Sequence, residues 1–88
     1  SSYEEICEFK CIDDRPISVN AHPLVNLFAV GFESGIIKVF DVESVTEATE
    51  FSQHETPVCL ITHSASGEWF ASVSSDSLIC LYSCLRTY

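Results

Sequence analysis

The chain has 88 residues, enough for one small domain at most. Its apolar fraction of 47% is that of a globular chain, and its apolar residues fall in short runs, none near the ~20 that span a membrane. Thirteen acids against four bases give a net charge of −9, a surface that repels phosphate backbones and acidic lipid, so neither nucleic acid nor membrane is an expected partner.

All the acids except Glu68 and Asp76 lie before Thr56. A solvated acidic face is the plain reading of this bias, and a basic protein partner is the functional one. Ser1–Lys10 has no basic start and no apolar core, so it does not read as a signal peptide. The start at Ser1 fits an expectation that the chain is a fragment. Five cysteines, an odd count with no secretory signal, read as free thiols in a reducing compartment.

Strands are expected where β-branched and aromatic runs are bounded by turn residues. Glu4–Cys11 is taken as a strand because its Glu8-Phe9 matches Glu50-Phe51 of a later one. The next strand is Ile17–His22, ended by His22-Pro23, since proline lacks a donor and restricts its predecessor. Leu27–Phe32 follows, then a turn at Glu33-Ser34-Gly35, where Gly35 can take positive φ. Ile36–Val42 is the third strand of this unit and Thr46–Gln53 the fourth. Glu43, Glu47, Ala48 and Glu50 favour a helix over Val42–Phe51, but Val45, Thr46 and Thr49 are β-branched and the repeat requires a strand. Val58–Thr62, a turn at Ser64–Gly67, Trp69–Ser74, a tight turn near Ser75–Ser77 and Leu78–Cys84 complete the chain. A last outer strand would start beyond Thr87.

The chain therefore repeats. FAVGFESGIIKVFDV, starting at Phe28, returns from Phe70 as FASVSSDSLICLYSC, and PISVNAHP at Pro16–Pro23 returns as PVCLITHS at Pro57–Ser64. A period of about forty residues made of short strands and turns is the signature of a β-propeller array. A propeller closes with about 4–8 blades, and two are present. The expected fold class is all-β, with antiparallel four-stranded blades. The expected units are 1–16, the outer strand of a preceding blade with its connecting loop; 17–56, a first blade; and 57–88, a second blade lacking its outer strand.

These residues resemble the WD-repeat family. Gln53-His54 stands for its Gly-His pair, HSASGEW at His63–Trp69 for its turn, and ASVSSDSLICLYS at Ala71–Ser83 for its strand, Asp turn and closing strand. In the first unit AVGFESGIIKVFD at Ala29–Asp41 plays the same part. The resemblance implies a buried structural network at His54, Ser72, Asp76 and Tyr82, with Tyr82 in place of the usual Trp. The matching first-unit positions, Asp13 or Ile12, Val30, Ser34 and Phe40, cannot reproduce it. A half-satisfied buried network is costly, so losing all its members together is the cheaper course, leaving apolar packing. GFESGIIKVF, the following VE, then H…PV and S…SL…YSC over Gly31–Cys84 also look like the WD repeat-containing protein 90 family. That resemblance implies a large protein of centrioles, basal bodies and cilia with a tie to microtubules. Tubulin's acidic surface disfavours direct contact by this acidic piece.

Candidate chemistry is sparse. Cys7/Cys11 and Cys80/Cys84 have CxxxC spacing, but four residues along a strand separate the sulfurs by about 13 Å, and zinc needs each about 2.3 Å away. Buried packing thiols are the better reading. His22, His54 and His63 with Cys59 are the remaining metal candidates. His22 and His63 read as equivalent repeat positions, a blade apart, which makes them strand-end histidines. No metal and no cofactor is expected. His54, Ser72 and Asp76 have the residue types of a hydrolase, yet a Ser buried in a structural network has no substrate access. Trp69 reads as packing rather than a binding anchor, as do Phe32 and Phe40.

The expected function is a non-catalytic scaffold whose loops bind other proteins: Pro23–Asn26, Glu33–Gly35, Gln53–Thr56 and Ser64–Glu68. Any microtubule-associated assembly would run through other parts of the parent, in the cytoplasm at a centriole, basal body or cilium. The alternatives are a generic cytosolic WD-repeat adaptor and a hydrolase on His54, Ser72 and Asp76.

Overall fold

A computed structural model describes residues 4–84. They form seven strands: β1 (Pro16–Ala21), β2 (Leu27–Phe32), β3 (Ile37–Asp41), β4 (Thr46–Phe51), β5 (Val58–His63), β6 (Trp69–Ser74) and β7 (Ile79–Ser83). All pairings are antiparallel between chain neighbours, giving a four-stranded sheet β1-β2-β3-β4 and a three-stranded sheet β5-β6-β7. The architecture is all-β, as WD-repeat blades of a propeller fragment require. The outer strand expected beyond Thr87 lies outside the described residues.

The chain takes these strands because apolar side chains alternate along it with period two. In β2, Ala29 and Gly31 face the second sheet, while Phe28, Val30 and Phe32 face away. Both faces are covered, so LFAVGF is an unbroken apolar run, the pattern of a fully buried strand. The main core lies between the sheets: Ala29, Ile37 and Val39 from the first meet Val58, Ile61, Phe70 and Tyr82 from the second. Phe51 of β4 closes it, with its ring centroid 4.7 Å from Tyr82, which stacks on Phe70 at 4.6 Å.

Turn chemistry closes each hairpin. Gly35 (φ 99) and Gly67 (φ 76) take the left-handed region that glycine tolerates. Asp41 Oδ1 accepts the amides of Glu43 and Ser44, folding the turn into β4. The Val42–Phe51 stretch is accordingly turn and strand, not helix.

Two expectations need correction. Residues 4–15 form no strand. Phe9 instead packs on Phe28 and Phe40, at centroid distances of 5.5 and 4.7 Å. Beside it an apolar cleft of about 490 Å³ opens between Cys7–Cys11 and β1.

The second correction is the repeat offset at the first strands. Sequence identity sets Pro16 on Pro57, an offset of 41. The ladders set Pro16 opposite Phe32 and Val58 opposite Ser74, so β1 and β5 superpose at an offset of 42, with a register shift at the same place in each. His22 N bonds Leu27 O and Ser64 N bonds Trp69 O, the same turn at that offset. His22 is thus the counterpart of Ser64, not of His63.

Candidate functional site

The polar residues that matter most lie along the seam between the sheets. Ser18, Asn20 and Gly31 occupy the face of the first sheet that receives β5, and each is small or polar where an apolar residue would fill space. Ser18 Oγ donates to Val58 O at 2.8 Å. Asn20 Oδ1 accepts both the His63 amide (3.0 Å) and its Nδ1–H (2.7 Å). A Cβ on Gly31 would sit 2.6 Å from Val58 Cγ1, so glycine is required for the approach. These contacts fix how the sheets slide over one another.

His22 and His63, expected a blade apart, instead meet with ring centroids 5.3 Å apart. His22 Nε2 donates to Gly67 O at 3.0 Å, and its Nδ1 accepts the amides of Leu24 and Val25 at 3.1 and 3.3 Å. Both acceptor and donor roles of the ring are therefore assigned to one neutral tautomer. Burial, and then the neighbouring His22, lower the pKa of His63 from the ordinary value of 6.5.

The four residues of the expected network are only partly brought together. His54 (3% exposed) and Ser72 (0%) share a hydrogen bond of 2.6 Å between Nε2 and Oγ. His54 Nδ1 has no hydrogen-bond partner. Asp76, the residue expected to serve it, is exposed and turned to the Ser74 hydroxyl and the Leu78 amide. The Ser74 hydroxyl, first, lowers the Asp76 pKa; desolvation opposes it. The Tyr82 oxygen is buried without a hydrogen bond, and burial raises its pKa, while the nearby Ser72 hydroxyl acts in the other direction. A chain of four residues thus becomes one bond flanked by two orphaned polar atoms.

This geometry fits a hydrolase poorly. A triad needs an acid on the far imidazole nitrogen and a nucleophile that substrate can reach, whereas His54 Nδ1 lacks the first and Ser72 is fully buried. In the first unit, Val30 and Phe40 pack as apolar core. Ser34 bonds Asp14 rather than Asp13. Cys7, Cys11, Cys59 and Cys80 are free thiols, and among the described residues no three or more His, Cys, Asp or Glu side chains form a metal cluster. Among the described residues no helix is long and apolar enough to cross a membrane. Trp69, 45% exposed on the outer face of the second sheet, is not part of the core between the two sheets.

The four expected contact loops pair across the seam. His22, which opens the turn to β2, reaches Gly67 in the Ser64–Glu68 turn. At the opposite rim, a Cβ on Gly35 would sit 2.7 Å from the His54 carbonyl carbon, so Glu33–Gly35 rests on Gln53–Thr56. Sequence reasoning missed the seam contacts of Ser18, Asn20, Gly31, His22 and His63. The available signal was the run of small and polar residues on a strand face expected to be apolar.

No family model matches the chain. It is 30% identical to WD repeat-containing protein 90 of Xenopus tropicalis over 91% of its own length. The chain resembles the WD-repeat proteins. It is also 34% identical over 67% of its length to Pre-mRNA-processing factor 19 of Schizosaccharomyces pombe, and 33% identical over 76% to Centriole proteome protein 16 of Chlamydomonas reinhardtii. It spans 4%, 12% and 3% of these three relatives' lengths. The WD-repeat resemblance and the two packed antiparallel sheets agree on a repeat array as the setting of the seam.

Proposed function

We propose that the chain is a non-catalytic, protein-binding segment of a WD-repeat scaffold within a large centriole- or cilium-associated, microtubule-related protein. Residues 1–16 belong to a preceding blade and its connection, 17–56 to one blade and 57–88 to the next. His54, Ser72, Asp76 and Tyr82 serve structure, not catalysis.

One observation carries this reading. Leu60, Trp69, Ile79 and Leu81 are exposed on one face of the second sheet, Ile79 at 65% and Leu81 at 70%. At the 42-residue offset that face is the counterpart of the Ser18, Leu27, Ile37 and Val39 face, which already receives β5–β7. A face built to be covered, repeated once per blade, is what a continuing array has. Its loops are then held at fixed spacing for partners. The name of the Chlamydomonas relative supports the centriolar assignment; the match to Pre-mRNA-processing factor 19, whose name has no centriolar word, favours a generic adaptor instead. The acidic surface argues that microtubule contact runs through other parts of the parent.

Tagging the full-length parent tests the assignment. Signal at centrioles or basal bodies is expected. A diffuse cytosolic signal throughout the cell cycle would overturn the centriolar part and leave the generic adaptor.

A further inference from the structure

We infer that the rim of the first sheet carries a docking groove for a short basic and apolar peptide segment of another protein. An apolar side chain of the partner rests on Leu24 and Val25, and a lysine or arginine beside it is held by Asp41 and Glu43. The groove measures about 490 Å³ and is lined by Leu24, Val25, Asn26, Leu27, Asp41 and Glu43. It lies at the strand ends, where the β1–β2 turn meets the turn into β4. It is thus on neither of the sheet faces that stacked blades cover.

Leu24 and Val25 are 71% and 51% exposed, side by side in a turn, where polar residues are the rule. The turn does not ask for them. Its closing bond, His22 N to Leu27 O, is repeated as Ser64 N to Trp69 O, and there Ser66 and Gly67 stand at the Leu24 and Val25 positions. Neither residue belongs to the core between the sheets. Adjacent apolar side chains that serve neither turn nor core suit an apolar group of a partner.

The carboxylates make the groove selective. Asp41 Oδ1 accepts the amides of Glu43 and Ser44, which fixes this side chain at the groove. Asn26 Nδ2 donates to Glu43 Oε2 at 3.4 Å and holds it beside the β1–β2 turn. The ion pairs among the described residues are Arg15–Glu33 and Lys38–Glu47, so no cation among them offsets Asp41 or Glu43. Asp41 sits opposite Leu27 as Ser83 sits opposite Trp69, so the charge, like the apolar pair, is particular to this blade. The net charge of −9 draws in cationic segments, and the two carboxylates set where the cation settles.

The groove is also preformed. His22 Nδ1 accepts the amides of Leu24 and Val25, and Leu27 N donates to Val25 O at 2.9 Å. Val42 N donates to Asn26 O at 2.9 Å, tying the two turns together. A partner need order neither turn, so binding loses little to that cost. This inference rests on the reading of the chain as a protein-binding segment and adds the chemistry of a partner; it is independent of the centriolar assignment.

The test titrates the full chain into fluorescein-labelled nine-residue peptides and reads anisotropy. The first peptide has a central leucine between two lysines. In the second a serine replaces the leucine, and in the third glutamates replace the lysines. The first should bind at least about tenfold more tightly than the others, and more weakly as salt rises from about 0.05 to 0.3 M. Leu24→Ser/Val25→Gly, which copies the Ser66-Gly67 turn, should weaken it by about tenfold or more. Glu43→Gln should weaken it too, whereas Glu50→Gln, an equal loss of charge at an exposed site outside the groove, should not. The three peptides are compared on the wild-type chain, and Glu43 is exposed, so the outcome does not hang on the double variant folding. No binding of the first peptide, or no preference for it, overturns the groove. Binding that ignores Glu43→Gln, or that Glu50→Gln weakens equally, overturns the groove and leaves the protein-binding reading standing.

Discussion

Gly31 of β2 and Val58 of β5 approach so closely that a single methyl group on Gly31 would stand 2.6 Å from Val58 Cγ1. Ser18 Oγ, bonded to the Val58 carbonyl, closes the same spot from the side. The two contacts hold β2 and β5 in close approach.

Gly31→Ala therefore forces the sheets apart. Overpacking of a filled site costs about 1–3 kcal/mol, and chemical denaturation should show a loss of that size. A change within about 0.5 kcal/mol, the range of ordinary surface substitutions, would mean that the seam is slack.

The His54–Ser72 bond and the orphaned Tyr82 oxygen make opposite predictions within one cluster. Ser72→Ala strips a buried imidazole of its hydrogen bond and should cost about 1–3 kcal/mol. Tyr82→Phe removes a hydroxyl that has no hydrogen bond, so it should be neutral or stabilising by up to about 1 kcal/mol. Equal losses from both would mean that Tyr82 does join the network. Thermal unfolding of the two variants measures this.

Asp76 is tied to its own turn. The Ser74 hydroxyl is the main cause of its lowered pKa. What the turn gains is present above the ordinary 3.8 and lost as pH falls through the lower folded value. Carboxyl titration by NMR should find Asp76 below 3.8 in the wild type and moved up in Ser74→Ala. A value unmoved by Ser74→Ala would assign the shift to the Leu78 amide instead.

Much of the fold was legible in the residues, for local reasons. Leu27–Phe32 and Trp69–Ser74 were read with the bounds they have, because each is an apolar run ending at a turn that punctuates it. β-branched Thr46 and Thr49 correctly outweighed the helix-favouring glutamates. The turn before β4 was not legible: Val45 takes φ 56, a left-handed conformation that a β-branched residue rarely adopts. Asp41 and the strand pairing that follows hold it there. The one-residue error at β1 arose because Pro16 and Pro57 look equivalent while the ladders count from the turns.

The candidate site was legible only in part. The resemblance pointed to His54 and Ser72, which bond. It could not say whether Asp76 would turn to His54 or to Ser74, a choice of side-chain conformation within one short turn. The His22–His63, Asn20–His63 and Ser18–Val58 contacts were illegible for a different reason. Each joins residues of two sheets, and no spacing along the chain encodes how one sheet slides over another.

The central claim is that the outer face of the second sheet, with Leu60, Trp69, Ile79 and Leu81, is an interface awaiting a neighbour. Sedimentation of the 88-residue chain on its own across micromolar concentrations, beside Ile79→Lys/Leu81→Lys, tests it most directly. The account predicts self-association that the double substitution reduces, because the open face of this chain is covered only by another copy. A wild-type chain that stays monomeric throughout and unfolds in one sharp two-state transition would contradict it.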